Sequence, residues 1–233
     1  MAKVTKKTSV ASRKPAAKKE GWQAEKSAMT RNAILEAAIQ CFIDLGYANT
    51  TTALIAEYAG VSRGAMMHHF PSRSSVLKAT IEYLHDKRLT EFRKTMANID
   101  DPEEMLNRDR VAQSVKAAWD YVNQPFSIAF MEVLMASRSD EELREVLDPL
   151  EKEYEKQFLI TVKAVFPHWQ DLEILETAND VVHFMLSGMA LNQIKIHRQS
   201  RTTRILDFLT ESLETLYTSA VESKGSQQPK KKD

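Results

Sequence analysis

A chain of 233 residues with 43% hydrophobic content is long enough to bury a real core, and its six glycines and seven prolines are too few for many short strands joined by tight turns. No apolar run approaches the roughly 18 to 20 residues of a membrane span, and the first 20 residues lack an apolar signal core, so a cytoplasmic protein without membrane partners is expected. The net charge of zero conceals an asymmetry: residues 1–95 hold 16 Lys and Arg against 8 Asp and Glu, whereas residues 96–233 hold 16 against 24. The halves are therefore +8 and −8, the pattern of a phosphate-facing front joined to an acidic body.

Residues 1–26 read as a disordered basic arm, with Lys3, Lys6, Lys7, Arg13, Lys14, Lys18 and Lys19 before Gly21, Glu20 as the only acid there, and no apolar periodicity. Such a segment is either a solvated tail or an arm that lies along DNA and adds sequence-independent affinity by releasing counterions. From Thr30 the pattern turns helical, with Ile34, Ala38, Phe42 and Leu45 at spacings of three and four and Gly46 where a helix ends. The single cysteine, Cys41, lies on this helix among Ile39, Phe42 and Ile43 and reads as inert core.

Thr51 caps a short second helix through Tyr58, Gly60 allows a tight turn, and Ser62 caps a third helix from Arg63 to about His69, stopped by Phe70-Pro71. Ser72 caps a fourth helix to about Met96, with Val76, Leu77, Ile81 and Leu84 at core spacing. In the remainder, Asp101-Pro102 is expected to open a helix to about Tyr121, and Gln124-Pro125 one through Ala136. Asp148-Pro149 reads as an N-cap with proline at the first helical position, predicting a helix from there to Phe166. Helices from Asp171 to about His197 and from Arg201 to about Ser223 follow, and residues 224–233 read as a frayed tail. The expected architecture is all-α with about nine to ten helices: a three-helix head at 27–75 and a helical body at 76–223.

Two short helices joined by a glycine turn make a helix-turn-helix, whose second helix lies in the major groove of double-stranded DNA. The stretch GYANTTTALIAEYAGVSRGAMMHHFPSRSSVL resembles the DNA-binding head of the tetracycline-repressor (TetR) family of one-component regulators, with Gly46, Thr51, Ile55, Ala56, Ala59, Gly60, Val61, Ser62, Gly64, His69 and Phe70 in the family's places. Arg63 and Ala65 open the third helix, where an arginine can fork to guanine O6 and N7 and a methyl can touch a thymine methyl. The resemblance implies that the side chains of Thr51, Ser62, His68 and Arg73 and the amide of Gly64 hold phosphates, which orients a head without specifying sequence. Met67 stands where the family usually has tyrosine and is expected at bases or sugars, and Arg73 stands where lysine is commoner. Residues 27–75 hold three basic and three acidic side chains, so the arm is expected to supply much of the attraction to DNA.

Ala178 to Leu191 is apolar on nearly every side and needs cover on two faces, while Ile205, Leu206, Leu209, Leu213, Leu216 and Tyr217 form a broad stripe on the last helix. These two helices suit a four-helix interface of a two-fold homodimer, as the resemblance also implies, although both could instead bury against their own chain. Trp119, Phe126, Phe130, Met131, Phe158, His183 and Phe184, with Met135 and Met189, are either plain core or the lining of a pocket for an apolar effector. Adjacent His68 and His69 point about 100° apart on a helix, so no metal site is expected. With no nucleophile elbow and no phosphate-cradling glycine loop, neither catalysis nor a cofactor is expected. The reading is a transcriptional regulator, a repressor by expectation; the alternative left open by the lysine-rich arm is an architectural protein indifferent to DNA sequence.

Overall fold

The structure is a computed structural model that describes residues 16–97, 107–167, 174–193 and 199–226. Among these residues there are nine α-helices and no strand: α1 Ala16–Leu45, α2 Thr52–Tyr58, α3 Arg63–His69, α4 Arg73–Met96, α5 Arg108–Val122, α6 Pro125–Ser137, α7 Glu141–Val165, α8 Ile174–Gln193 and α9 Gln199–Ser226. The local signals in the head act as anticipated. Gly46 leaves α1 with φ 76°, and the Thr51, Ser62 and Ser72 side chains accept from the amides of Leu54, Ala65 and Ser75 at 3.2, 3.1 and 3.0 Å. Ser75 Oγ in turn accepts from the Ser72 amide at 3.0 Å, closing a capping box at the start of α4.

Four expectations need correction. The basic arm is not disordered up to residue 26, because α1 runs back to Ala16. Once the buried stripe of α1 has nucleated a helix, the Ala, Lys, Glu and Gln of the preceding stretch extend it at little cost, although Trp22 there is 59% exposed. Residues 1–15 lie outside the described residues. α7 starts at Glu141, not at Pro149: Asp140 is the true cap, accepting from the Leu143 amide at 2.9 Å, and Pro149 sits inside the helix. The fully buried Leu143 and nearly buried Leu147 hold that first stretch helical by tertiary packing, which outweighs the backbone bond the proline cannot make. α5 starts at Arg108, since Asn107 has extended geometry and caps the Arg110 amide at 3.1 Å; the Asp101-Pro102 pair lies outside the described residues. α9 continues to Ser226, past the point where a frayed tail was read. Both ends expected for the penultimate helix, Asp171 and His197, fall outside the described residues.

Buried side chains form two clusters. One joins Ile34, Ala38 and Cys41 of α1 to Ile55 of α2, Met66 of α3, Phe70, and Val76 and Ala79 of α4. The other joins Ile39 and Phe42 of α1 and Leu77, Ile81 and Leu84 of α4 to residues of α5 through α9. α1 and α4 thus each present one stripe to the head and another to the body. Cys41 is fully buried in the head, and its thiol is pushed up to about 11 by desolvation and by Asp44.

Further ties fasten the two helices to each other and to the body. The Tyr83 hydroxyl and Lys87 Nζ donate to Glu36 Oε1 at 2.6 and 2.8 Å, joining α4 to α1. The Tyr47 hydroxyl donates to Asp140 Oδ2 at 3.2 Å, joining the end of α1 to the start of α7.

Asp140 therefore serves as helix cap and as acceptor for Tyr47. Asp140→Ala is expected to lower unfolding stability by about 1 to 2 kcal/mol, whereas exposed Asp148→Ala stays within about 0.5 kcal/mol of the parent. Urea midpoints of the two variants check where α7 begins; equal losses would contradict the Asp140 cap.

Candidate nucleic-acid interface and body cavity

The turn between α2 and α3 follows from one glycine. Gly60 has φ 63°, which lets its amide reach Glu57 O at 3.0 Å while the Val61 amide reaches back to Ala56 O at 3.0 Å. The chain then reverses into Ser62, the cap of α3. Buried Met66 and Phe70 anchor α3 to the head, so the opposite face is left to solvent.

That outer face carries the residues singled out from the sequence. Arg63, Gly64 and His68 are exposed, Met67 is 45% exposed, and Ala65 is half-buried. His69 is half-buried, its ring 6.5 Å from that of Phe70, so only His68 of the histidine pair faces outward. Thr51 and Ser62 are exposed as caps. Arg73, exposed at the start of α4, lies with its guanidinium carbon 5.3 Å over the Tyr47 ring and borders the same crevice as Thr52 of α2. The beginnings of α2 and α4 are thereby neighbours, each ending in free amides beside a hydroxyl or a guanidinium, an arrangement chemically suited to phosphate oxygens. Arg63 forms no ion pair among the described residues, so its fork is available.

Two cavities between helices of the body lie among the described residues. One, of about 100 Å³, is almost wholly apolar and is bordered by Phe92, Met96, Val115, Val162, Leu175 and Val182. The larger, of about 270 Å³, lies between α4, α5, α6 and α8. Of the seven residues expected to line an effector pocket, Phe130, Met131, His183 and Phe184 border this larger cavity, as does Met135. Trp119, Phe126 and Phe158 border neither cavity. Trp119 and Phe126 are buried in the core, where Phe126 meets the Tyr121 ring at 5.4 Å, and Phe158 packs on Phe92 at 4.9 Å and on Tyr154 at 5.7 Å. Helical spacing puts an aromatic on an inward face; whether that face meets a neighbour or a void depends on how the helices cross.

The charged group beside the larger cavity was not anticipated. Arg88 of α4, only 5% exposed, borders it, with its guanidinium carbon 3.8 Å over the Phe130 ring and 4.1 Å over the Tyr154 ring. Glu151 Oε1 of α7 lies 2.7 Å from His85 Nε2 and 3.9 Å from Arg88 Nη1. The short approach is not aligned as a hydrogen bond, and all three atoms are buried without a hydrogen-bond partner among the described residues. The Tyr121 hydroxyl donates to Arg88 O at 3.0 Å, and Ser127 Oγ donates to Tyr121 O at 2.9 Å. Burial raises the Tyr121 and Tyr154 hydroxyls well above the ordinary range, so both stay protonated. Burial, and then the Arg88 charge, lowers His183, so its imidazole is neutral at pH 7. The signal for this cluster was present in the sequence: His85 and Arg88 fall on the stripe continued by Leu84, Leu89 and Phe92, and charge at a core position needs a reason.

Comparison with known proteins places these features in context. Residues 34–80, which span the end of α1 through the start of α4, match the sequence model of the bacterial regulatory proteins of the tetR family. The HTH-type transcriptional regulator CymR of Pseudomonas putida is 31% identical over 123 residues, 53% of this chain and 58% of CymR. The chain thus matches little more than half the length of this curated relative. Among solved structures, a TetR-family regulator of Mesorhizobium loti superposes with a TM-score of 0.65 at 16% identity, covering 82% of this chain and 97% of that one. Salmonella enterica GusR superposes with a TM-score of 0.57 at 22% identity, covering 83% and 95%.

The two glycines of the turn and of α3 separate backbone strain from available space. A Cβ at Gly60 meets nothing within 4 Å, yet its positive φ makes Gly60→Ala destabilising by about 1 to 2 kcal/mol. At Gly64, with no positive φ, a Cβ meets only Ser62 Oγ at 3.9 Å, so Gly64→Ala leaves stability unchanged or raises it by up to about 1 kcal/mol. Thermal unfolding of the two variants measures the contrast.

Proposed function

We propose that this chain, a transcriptional regulator of the TetR family, is a one-component repressor that binds a palindromic operator as a homodimer and responds to a small, largely apolar effector. The observation that carries the reading is the continuity of α4. Val76 and Ala79, near its start, pack in the head core, and Arg88, four turns along, borders the body cavity. A ligand that fits one position of α4 better than another therefore shifts the head, and only such a difference in affinity shifts it.

The parts take these roles. Arg63 and Ala65 meet base edges, with Met67 against bases or sugars. Thr51, Ser62, His68, Arg73 and the Gly64 amide hold phosphates. The lysines before Gly21 add sequence-independent attraction. Phe130, Met131, His183 and Phe184 receive the effector.

Support for the homodimer comes from uncovered apolar surface. α5 packs on α8 and α9 from within the chain. On the other side, Val181, Phe184 and Leu191 of α8 are 49%, 71% and 41% exposed, and Phe208 of α9 is 62% exposed. Ser212, Thr215 and Ser219 continue from Phe208 as a groove of small side chains beside Leu216, where a second helix pair can approach closely. Two-fold pairing through these helices sets the two α3 helices about one DNA turn, roughly 34 to 36 Å, apart.

Selection of bound sequences from a random duplex pool is expected to enrich a palindrome, and an unenriched pool would favour the architectural reading instead. On the enriched site Arg63→Ala loses about 1 to 3 kcal/mol of affinity and relaxes the preference at its base pair, while removal of residues 1–20 weakens operator and random DNA alike. Sedimentation is expected to give a dimer for the parent chain and a monomer for Phe184→Glu/Phe208→Glu; a monomeric parent at micromolar concentration would remove the paired-helix interface.

A further inference from the structure

We propose that the cavity bounded by α4, α5, α6 and α8 takes an amphipathic organic anion, an apolar body bearing a single carboxylate, and that Arg88 is the residue that recognises the carboxylate. This rests on the reading that the cavity holds the effector, and it narrows the effector from apolar to apolar with one negative group.

The argument starts from the state of Arg88. A guanidinium is charged at every pH the protein meets, and burying one is unfavourable unless its donors find acceptors. Arg88 is 5% exposed and Nη1 is unbonded among the described residues. The nearest carboxylate does not satisfy it, since Glu151 Oε1 is 3.9 Å from Nη1 and closer, at 2.7 Å, to His85 Nε2. Stacking on Phe130 and Tyr154, at 3.8 and 4.1 Å, fixes the position of the guanidinium and so preorganises its in-plane donors.

The rest of the lining excludes other roles for it. The Tyr121 and Ser127 hydroxyl hydrogens are committed to backbone oxygens, and His183 is neutral, so among the described residues Arg88 carries the only positive charge on the lining. Phe130, Met131, Leu134, Phe184 and Leu191 supply apolar surface around about 270 Å³, a volume suited to a small ring or a medium alkyl chain. A wholly apolar guest would leave the Arg88 donor unpaired in a drier site than before. A carboxylate accepts from the guanidinium fork and places its apolar part against the rings.

The test uses the purified full chain and the neutral fluorescent probe N-phenyl-1-naphthylamine, displaced at pH 7.5 by two matched pairs: octanoate against octanamide, and 4-ethylbenzoate against 4-ethylbenzamide. Each carboxylate is expected to displace the probe at a concentration about 10-fold or more below that of its amide. In Arg88→Met the preference falls to near unity with probe binding retained, and in Arg88→Lys, which keeps charge without the fork, it falls in part. Equal displacement by acid and amide in the parent overturns the carboxylate and leaves the apolar pocket standing. A probe that does not bind, or that none of the four displaces, overturns the pocket and the inference together. If Arg88→Met loses its helical circular dichroism, Arg88→Lys decides, and an undiminished preference there overturns the role of Arg88.

Discussion

The packing of α4 into two cores at once governs the rest of this molecule. Its first turns bury Val76 and Ala79 against α1, α2 and α3, while Leu77, Ile81 and Leu84 enter the body. A close-packed interior resists small displacements, so a helix shared between two interiors transmits movement as a rigid element. α1 is shared in the same way, through Ile34 and Ala38 on one side and Ile39 and Phe42 on the other. The Glu36 contacts with Tyr83 and Lys87 bind the two shared helices to each other. The head is therefore aimed by the body.

Against this rigid frame stands a deliberate weakness in the body. Arg88, His85 and Glu151 bring charge and polarity into a region otherwise filled with Phe130, Tyr154 and Tyr121, and they leave polar atoms there unsatisfied. An apolar replacement of similar volume would stabilise such a site more simply. Polar groups kept at this cost are common where a ligand completes them, and the cavity that adjoins Arg88 gives a ligand room to do so. The same helix, α4, thus carries the head core near one end and the unsatisfied donor further along.

Much of the head was legible from residue types alone because its signals are local. Thr51, Ser62 and Ser72 cap helices through bonds to amides three residues on, and Gly60 supplies a backbone angle that other residues avoid. The body misled at Pro149, where a strong local signal for a helix start was overridden by burial of Leu143 and Leu147 upstream. The aromatic set reads from the sequence as either core or pocket lining, and only the packing separates Phe130, His183 and Phe184, which border a cavity, from Trp119 and Phe126, which fill core. The two cases have one origin: neither the burial upstream of a proline nor a void is encoded within one turn of helix.

By itself the sequence determined the all-helical class, the limits of α2, α3 and α4, and the outward residues Arg63, Gly64, Met67 and His68. These depend on periodicity, caps and glycine, whose physics acts over a few residues. Only the tertiary structure decided that α1 and α4 serve two cores, that α7 begins at Glu141 behind the Asp140 cap, and that Arg88 lies buried beside a cavity. Those features depend on which helices meet and at what angle. Contacts between residues far apart in the chain set that geometry, and no single stretch carries it.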